Sequence, residues 1–526
     1  MWAAACLLAI AGAWYRFAEL GTFTNDHFVH LALAQQMWLG DRPLRDFADP
    51  GMPLMYWLSA LVQVPFGRGL LGEAVLTSGM LGLGAAFTFL ALRRLLGTSW
   101  PALAGGLLVI LMRPRHYSYP KIVVFAAAIW LFASYAERPS RGRAAALGLL
   151  IAAAFLFRHD LGVYLGLATA VALVLTHAPR LVDGLRRTAL AMAVALACLA
   201  PYLVYIEREV GLAEYMRAGV AFSALENTRT RSAMPAFETS DSFVSDRNAE
   251  TWLFYAVLLL PVAGIVVLVL PRAWMPERQE RFRGALAAVS VLGAVLAYSF
   301  VREARRARLA DIAVPLAVLG AWLCWLALRG SWRRPSRAVA QLGALALAAI
   351  TVAAALVVGE APIYIARAVE RGASMEIEHV RALATHLAVA PPARNIDAAS
   401  ATDQPRLARY LLDCLADDDR ALIVGFIPQA FVLSGHGFAG GHPRFVYGML
   451  RRPSEQRQMM AWLERESVPI IIESTGASVA EYPLLFARLR RHYEAPVRFG
   501  DQISIYAARD RPPARVWSVS PLPCYR

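Results

Sequence analysis

The order of apolar and polar positions is dominated by long uninterrupted apolar runs. A helix needs ~20 apolar residues, with a range of roughly 17–25, to cross a bilayer. Runs near that length occur at 2–20, 73–92, 121–136, 143–157, 161–176, 188–206, 251–271, 283–301, 310–328 and 338–358. A further run at 100–112 is shorter, and MPLMYWLSALVQVPF (52–66) is apolar but short and bounded by prolines and glycines. The first run has no basic n-region and no small-residue cleavage site, so it reads as an uncleaved first span. Beyond 359 the pattern changes. ALIVGF (421–426), VPIIIE (468–473) and ISIYAA (503–508) predict buried strands, while 403–416, 454–466 and 480–492 have helical spacing with charged faces. This alternation predicts one small α/β domain over 359–526. No internal repeat or low-complexity tail is visible.

Charge settles the status of 52–66. If that segment lies at the interface and the N-terminus is inside, the loops 93–99, 137–142, 177–187, 272–282 and 329–337 are cytoplasmic. Each of them is arginine-bearing, as the positive-inside rule requires. If 52–66 crosses, all of these basic loops fall outside. The expectation is therefore a polytopic α-helical membrane protein of about eleven spans over 1–358, with a first external loop at 21–72 containing juxtamembrane helices. The α/β domain at 359–526 is then extracytoplasmic.

Composition agrees and excludes a soluble enzyme. The 526 residues are 58% hydrophobic and 17% charged, against about a quarter charged in soluble domains; the mean hydropathy is +0.45. The net charge of +14 does not argue for nucleic acid. Every basic residue but Lys121 is arginine, which fits codon usage in a GC-rich bacterial genome and hence a bacterial inner membrane. Most of the basic residues lie between apolar runs, where charge orients spans. The five cysteines contain no CxxC, so neither a metal site nor a redox pair is signalled. Cys414 and Cys524 share the C-terminal domain and either pair, if it is extracytoplasmic, or remain free thiols.

Once the cytoplasmic arginines are assigned to orientation, a smaller external set remains. The loop REARRARL (302–309) places Arg302, Arg305 and Arg306 on the side opposite the basic loops. Phosphate binding is one reason for such a cluster; lipid headgroup contact is another. The loop RPRHYSYPK (113–121) contains His116 and the lone Lys121, a point charge able to hold a phosphate or to snorkel at the interface. Arg158, His159 and Asp160 interrupt an apolar stretch, where ionisable groups are costly and usually functional. Arg158 could pair with a phosphate, and Asp160 could contact sugar hydroxyls or orient Arg158. GFIPQAFVLSGHGFAGGH (425–442) is Gly-rich and aromatic but matches neither GxGxxG nor a P-loop; it suits acceptor binding or scaffolding.

The first external loop reads GTFTNDHFVHLALAQQMWLGDRPLRDFADPGMPLMYW over 21–57. Thr24, Asn25 and Asp26 are good helix N-caps. Leu31, Ala34, Met37 and Trp38 predict one apolar stripe on an interfacial amphipathic helix ended by Gly40. Asp26 heads that helix and can act either as a cap or as a general base. Asp46 and Asp49 sit in the polar turn that follows, and Asp49 precedes Pro50.

An Asp at the head of an amphipathic helix, followed by AxxxxxGxxPxxDFxxPGxPLxYW, resembles the first external loop of GT-C fold membrane glycosyltransferases. The matching residues are Asp26, then Ala34 to Trp57, including Gly40, Pro43, Asp46, Phe47, Pro50 and Gly51. The resemblance is nearest to the polyprenyl-phosphate-sugar-dependent group that includes protein mannosyltransferases and the aminoarabinose transferase acting on lipid A. Where those families often carry Glu after the Asp, this chain has His27. The shared N-terminal module covers about 1–206.

The resemblance implies an inverting hexosyl or pentosyl transfer from a polyprenyl-phosphate sugar to an envelope acceptor, with Asp26 as general base. Lys121, Arg158, Arg302, Arg305 and Arg306 then hold the donor phosphate, and Asp46, Asp49, His116, His159 and Asp160 contact substrate. No cofactor or metal is expected, since the candidate His and Asp residues show no ligand spacing. A transporter or lipid-carrier flippase is the competing class, but transporters usually show matched repeats, and no matching halves are visible here. A non-catalytic scaffold would leave the external charge unexplained.

Overall fold

The computed structural model describes the chain apart from 230–232, 243–244, 270–275, 303, 305, 330–333 and 475–477, and describes only the backbone of 227–229, 302, 307 and 334–337. Over their described residues, the long apolar runs of 1–358 lie in helices. Eight helices are long and apolar enough to cross a membrane among the described residues: Leu71–Leu96, His116–Glu137, His159–Thr176, Leu181–Glu209, Asp246–Val269, Arg283–Val301, Ala310–Arg329 and Ala338–Val358. The remaining expected spans form Trp2–Ala18, Trp100–Leu111 and Arg141–Phe157. Length separates these three from the eight. At 1.5 Å per residue, a helix of 17 residues reaches ~26 Å and one of 12 residues reaches ~18 Å, against ~30 Å of hydrocarbon. The segment at 52–66 forms Pro53–Phe66, whose 14 residues give ~21 Å, also short of a crossing.

The chain divides into two compact units. The first comprises Met1–Leu20, Thr77–Leu203 and Glu226–Val380. Its helices pack through small residues, as membrane helices do. A Cβ on Gly82 would lie 2.3 Å from the Ala9 carbonyl oxygen, and one on Gly148 2.3 Å from that of Ala191. Phe125, Phe132, Phe254 and Trp322 are fully buried in this unit.

The second unit comprises Gly21–Leu76, Val204–Leu225 and Arg381–Arg526. Its sheet has the order β2-β1-β3-β5-β4, with β1 at Asp419–Val424, β2 at Gly437–Phe438, β3 at Ser467–Ser474, β4 at Val497–Phe499 and β5 at Ile503–Ala507. β1 pairs in parallel with β2 and β3, and β5 runs antiparallel to β3 and β4. The central strands are apolar on both faces because helices cover them. Leu422, Val424 and Ile471 pack against Met459 and Leu463 of Pro453–Leu463 and Leu485 and Leu489 of Pro483–His492. The three strands and three helices read from sequence are present; β2 and β4 are additions too short to show a pattern.

Of the two alternatives open for Cys414 and Cys524, the structure has the pair joined by a disulfide. The C-terminal strand of backbone is brought alongside: Tyr525 N donates to Cys414 O at 2.7 Å and the Tyr410 hydroxyl to Pro523 O at 2.7 Å. The helix Asn25–Trp38 departs from the expected single apolar stripe, since Phe28, Val29, Leu31, Ala32, Leu33 and Ala34 are all buried. Its polar side is covered too. Gln35 Nε2 donates to Phe431 O at 3.0 Å, and Gln36 exchanges two bonds with the backbone of Phe438, at 3.0 and 3.2 Å. The Gln36 amide thereby pairs the edge of β2 as a neighbouring strand would.

Candidate functional site

In the second unit the helix Asn25–Trp38 places Asp26. Thr24 occupies the cap position, and Asp26 lies in the first helical turn. Its side chain is 40% exposed, and Arg444 Nη1 approaches Asp26 Oδ1 to 3.7 Å. The Arg444 guanidinium is itself held over the rings of Phe222, at 5.7 Å, and Phe426, at 5.5 Å. Asn25 Nδ2 donates to Phe426 O at 3.3 Å, which ties the helix start to the same segment. The result is an accessible carboxylate with a fixed cation beside it, which can take a proton from a hydroxyl.

His27 points the other way. Its Nε2 lies 2.7 Å from Glu73 Oε1, both groups are buried, and its ring stacks on Phe23 at 4.5 Å. Position 27, where the resembling families often carry Glu, thus holds a histidine that meets the carboxylate of Glu73. Asp46 and Asp49 are engaged locally. Asp46 accepts from Arg42 N at 2.9 Å and from Arg45 Nε at 2.9 Å. Burial pushes its carboxyl up, but these bonds outweigh burial and hold it below the usual range. Asp49 Oδ1 accepts from Gly51 N at 2.8 Å and Met52 N at 3.3 Å, an Asx turn.

Asp46 also lines a polar cleft of about 240 Å³ with Asp41, Asp418, Arg420, Arg465 and Glu466. Burial pushes the Glu466 carboxyl up to about 7, against the opposing pull of the Gly440 N–H and Arg420. The sequence reading did not single out Arg444, Glu73 or Glu466.

The first unit holds the other candidates. Lys121 is 8% exposed and forms an ion pair with the buried Asp311. Arg158 forms a bidentate pair with Asp160, Nε to Oδ1 at 2.6 Å and Nη2 to Oδ2 at 2.5 Å. The two pairs interact electrostatically with each other and with Arg115 and Arg308. Four cations therefore act on two carboxylates, each of which is ion-paired with one of them. His116 Nε2 lies 3.5 Å from Ser78 Oγ, and His159 stacks on Phe155 at 4.3 Å.

Arg306 is committed elsewhere. It pairs with Asp246 at 3.0 Å and donates to Val357 O and Val358 O at 3.2 and 3.3 Å. Arg305 and the side chain of Arg302 lie outside the described residues. Among the described residues, no group of three or more His, Cys, Asp or Glu side chains is gathered to hold a metal ion.

No family model and no curated relative matches the sequence. Among solved structures, ArnT from Cupriavidus metallidurans bound to undecaprenyl phosphate matches with a TM-score of 0.51 at 14% identity, over 96% of this chain and 97% of that one. The chain has the ArnT fold. The apo state of ArnT aligns with a TM-score of 0.43, also at 14% identity, over 95% of this chain and 97% of that one. The ArnT likeness runs from end to end, through the membrane helices and the C-terminal sheet alike. The GT-C membrane fold expected from the first external loop is the fold observed.

Proposed function

We propose that this protein is an integral membrane glycosyltransferase that moves a sugar from a polyprenyl-phosphate donor to an extracytoplasmic acceptor. The observation that carries the reading is the fold shared over 96% of the chain with ArnT, which was crystallised with undecaprenyl phosphate. The acceptor hydroxyl oxygen attacks the anomeric carbon on the face opposite the phosphate and inverts it. The bond from that carbon to the phosphate oxygen breaks, and the electron pair leaves with the phosphate. Asp26 accepts the hydroxyl proton; general-base catalysis contributes about 10²–10⁴-fold.

Lys121 and Arg158, with Arg115 and Arg308 in excess over Asp160 and Asp311, stabilise the charge that develops on the leaving phosphate. Asp160 orients Arg158 through its two hydrogen bonds. The apolar helices accommodate the lipid tail, and neighbouring lipids and an envelope acceptor complete the set of partners. The Cys414–Cys524 bond supports an extracytoplasmic C-terminal region, because disulfides persist in oxidising compartments. A bacterial inner membrane is the setting that fits.

The test supplies radiolabelled polyprenyl-phosphate sugars to the purified full chain in lipid, with an envelope extract as acceptor. Label should move to an acceptor, and the envelope glycans of cells lacking the protein should lose that sugar. No transfer from any donor, with unchanged glycans, would overturn the proposal.

A further inference from the structure

Arg16 closes the first apolar helix and is 3% exposed. Its Nη2 donates to Pro114 O at 2.8 Å. Its Nε and Nη1 are buried without a hydrogen-bond partner among the described residues, as is the Tyr15 hydroxyl. A buried guanidinium without a salt-bridged carboxylate is costly at the end of a membrane helix.

The surroundings add positive charge. Arg113 lies 3.3 Å from the centre of the Tyr364 ring, and Arg367 lies 5.3 Å from it. The nearby carboxylates are taken: Glu19 and Glu376 pair with Arg371 at 3.3 and 3.2 Å, and Glu360 pairs with Arg113 at 3.3 Å. Arg16 and Arg367 are left without a salt-bridged carboxylate among the described residues. The place therefore offers a buried and an exposed guanidinium, neither held in a salt bridge, and a phenol O–H, which suits an anion rich in acceptor oxygens.

The same helix indicates where that anion comes from. Ala361–Ala388 follows the last apolar span, and its Ile363, Ile365 and Val369 are exposed by 51%, 43% and 74% beside Arg367 and Arg371. Exposed apolar residues flanked by arginines suit a helix lying at headgroup depth. At that depth the abundant anion is a lipid phosphate.

We propose that Arg16, Arg113 and Arg367, with Tyr15, bind the phosphate group of a membrane lipid. This site is additional to the donor site and does not depend on the glycosyltransferase reading. The test measures binding of phosphatidylglycerol, polyprenyl phosphate and inorganic phosphate to the full-length protein in neutral detergent. Arg16→Gln and Arg367→Gln should each weaken lipid-phosphate binding about tenfold, the scale of one lost charge-assisted hydrogen bond. Arg367 is exposed, so Arg367→Gln reads the site even where Arg16→Gln fails to fold. Weakening for phosphatidylglycerol assigns the site to bilayer lipid; weakening for polyprenyl phosphate alone assigns it to the carrier. Wild-type affinity for both lipids in either folded variant would overturn the proposal, as would binding of inorganic phosphate without binding of either lipid.

Discussion

Replacing both bonded cysteines, Cys414→Ala with Cys524→Ala, should strongly destabilise the C-terminal region. The bond links residues separated by 110 positions. The chain-entropy relation for a closed loop of that length gives about 5 kcal/mol at 25 °C. Both residues are fully buried, so the replacement also leaves little room for relaxation. The assay is urea unfolding of the purified chain, followed by pulse proteolysis of fragments from 381–526. With a slope of about 2 kcal/mol/M, the midpoint should fall by roughly 2.5 M. Alkylation under denaturing, non-reducing conditions should modify only Cys6, Cys198 and Cys324 in the unaltered protein. An unchanged midpoint, or alkylation of all five cysteines, would refute both the crosslink and the compartment argued from it.

Three further outcomes follow from the site geometry. Lys121→Met and Asp311→Asn should each destabilise the first unit by about 3–5 kcal/mol, because each strands one buried charge, while the double variant should recover part of that loss in thermal unfolding. Glu466 is a carboxyl whose folded value, about 7, lies above its ordinary 4.5. The folded state therefore holds a proton that the unfolded state has lost between these values, and stability should fall by about 3 kcal/mol as pH rises from 4.5 to 7; Glu466→Gln should flatten that slope in unfolding scans. Arg444→Gln should slow sugar transfer by roughly 10-fold to 100-fold with the fold intact, since Asp26 loses the cation fixed beside it; transfer at the unaltered rate would remove Arg444 from the site.

Much of the architecture was legible because its signals are local. A run such as LALAAITVAAALVV (345–358) can only be buried in protein or lipid, and PIII (469–472) between charged helices can only be a covered strand. The position of Asp26 was legible for the same reason, since it opens the helix Asn25–Trp38 ahead of the DFxxPG turn. Its neighbour Arg444 was not, because the pair is assembled from opposite ends of the chain by the packing of 426–444 on the first loop. Asp311 and Glu73 gave only the signal of a carboxylate opening an apolar helix, with no hint of Lys121 or His27 as partner. The stripe on Asn25–Trp38 misled because Gln35 and Gln36, polar in sequence, spend their amides on buried backbone groups. The loop of Arg306 gave no sign of its bonds to the carbonyls of Val357 and Val358, which are far away in sequence.

The central claim concerns the base, and single-turnover transfer by Asp26→Asn tests it most directly. Purified variant and unaltered protein would be compared with saturating radiolabelled polyprenyl-phosphate sugar and acceptor. The account predicts a rate lowered by about 10²–10⁴-fold with donor binding retained. Transfer at the unaltered rate would contradict it.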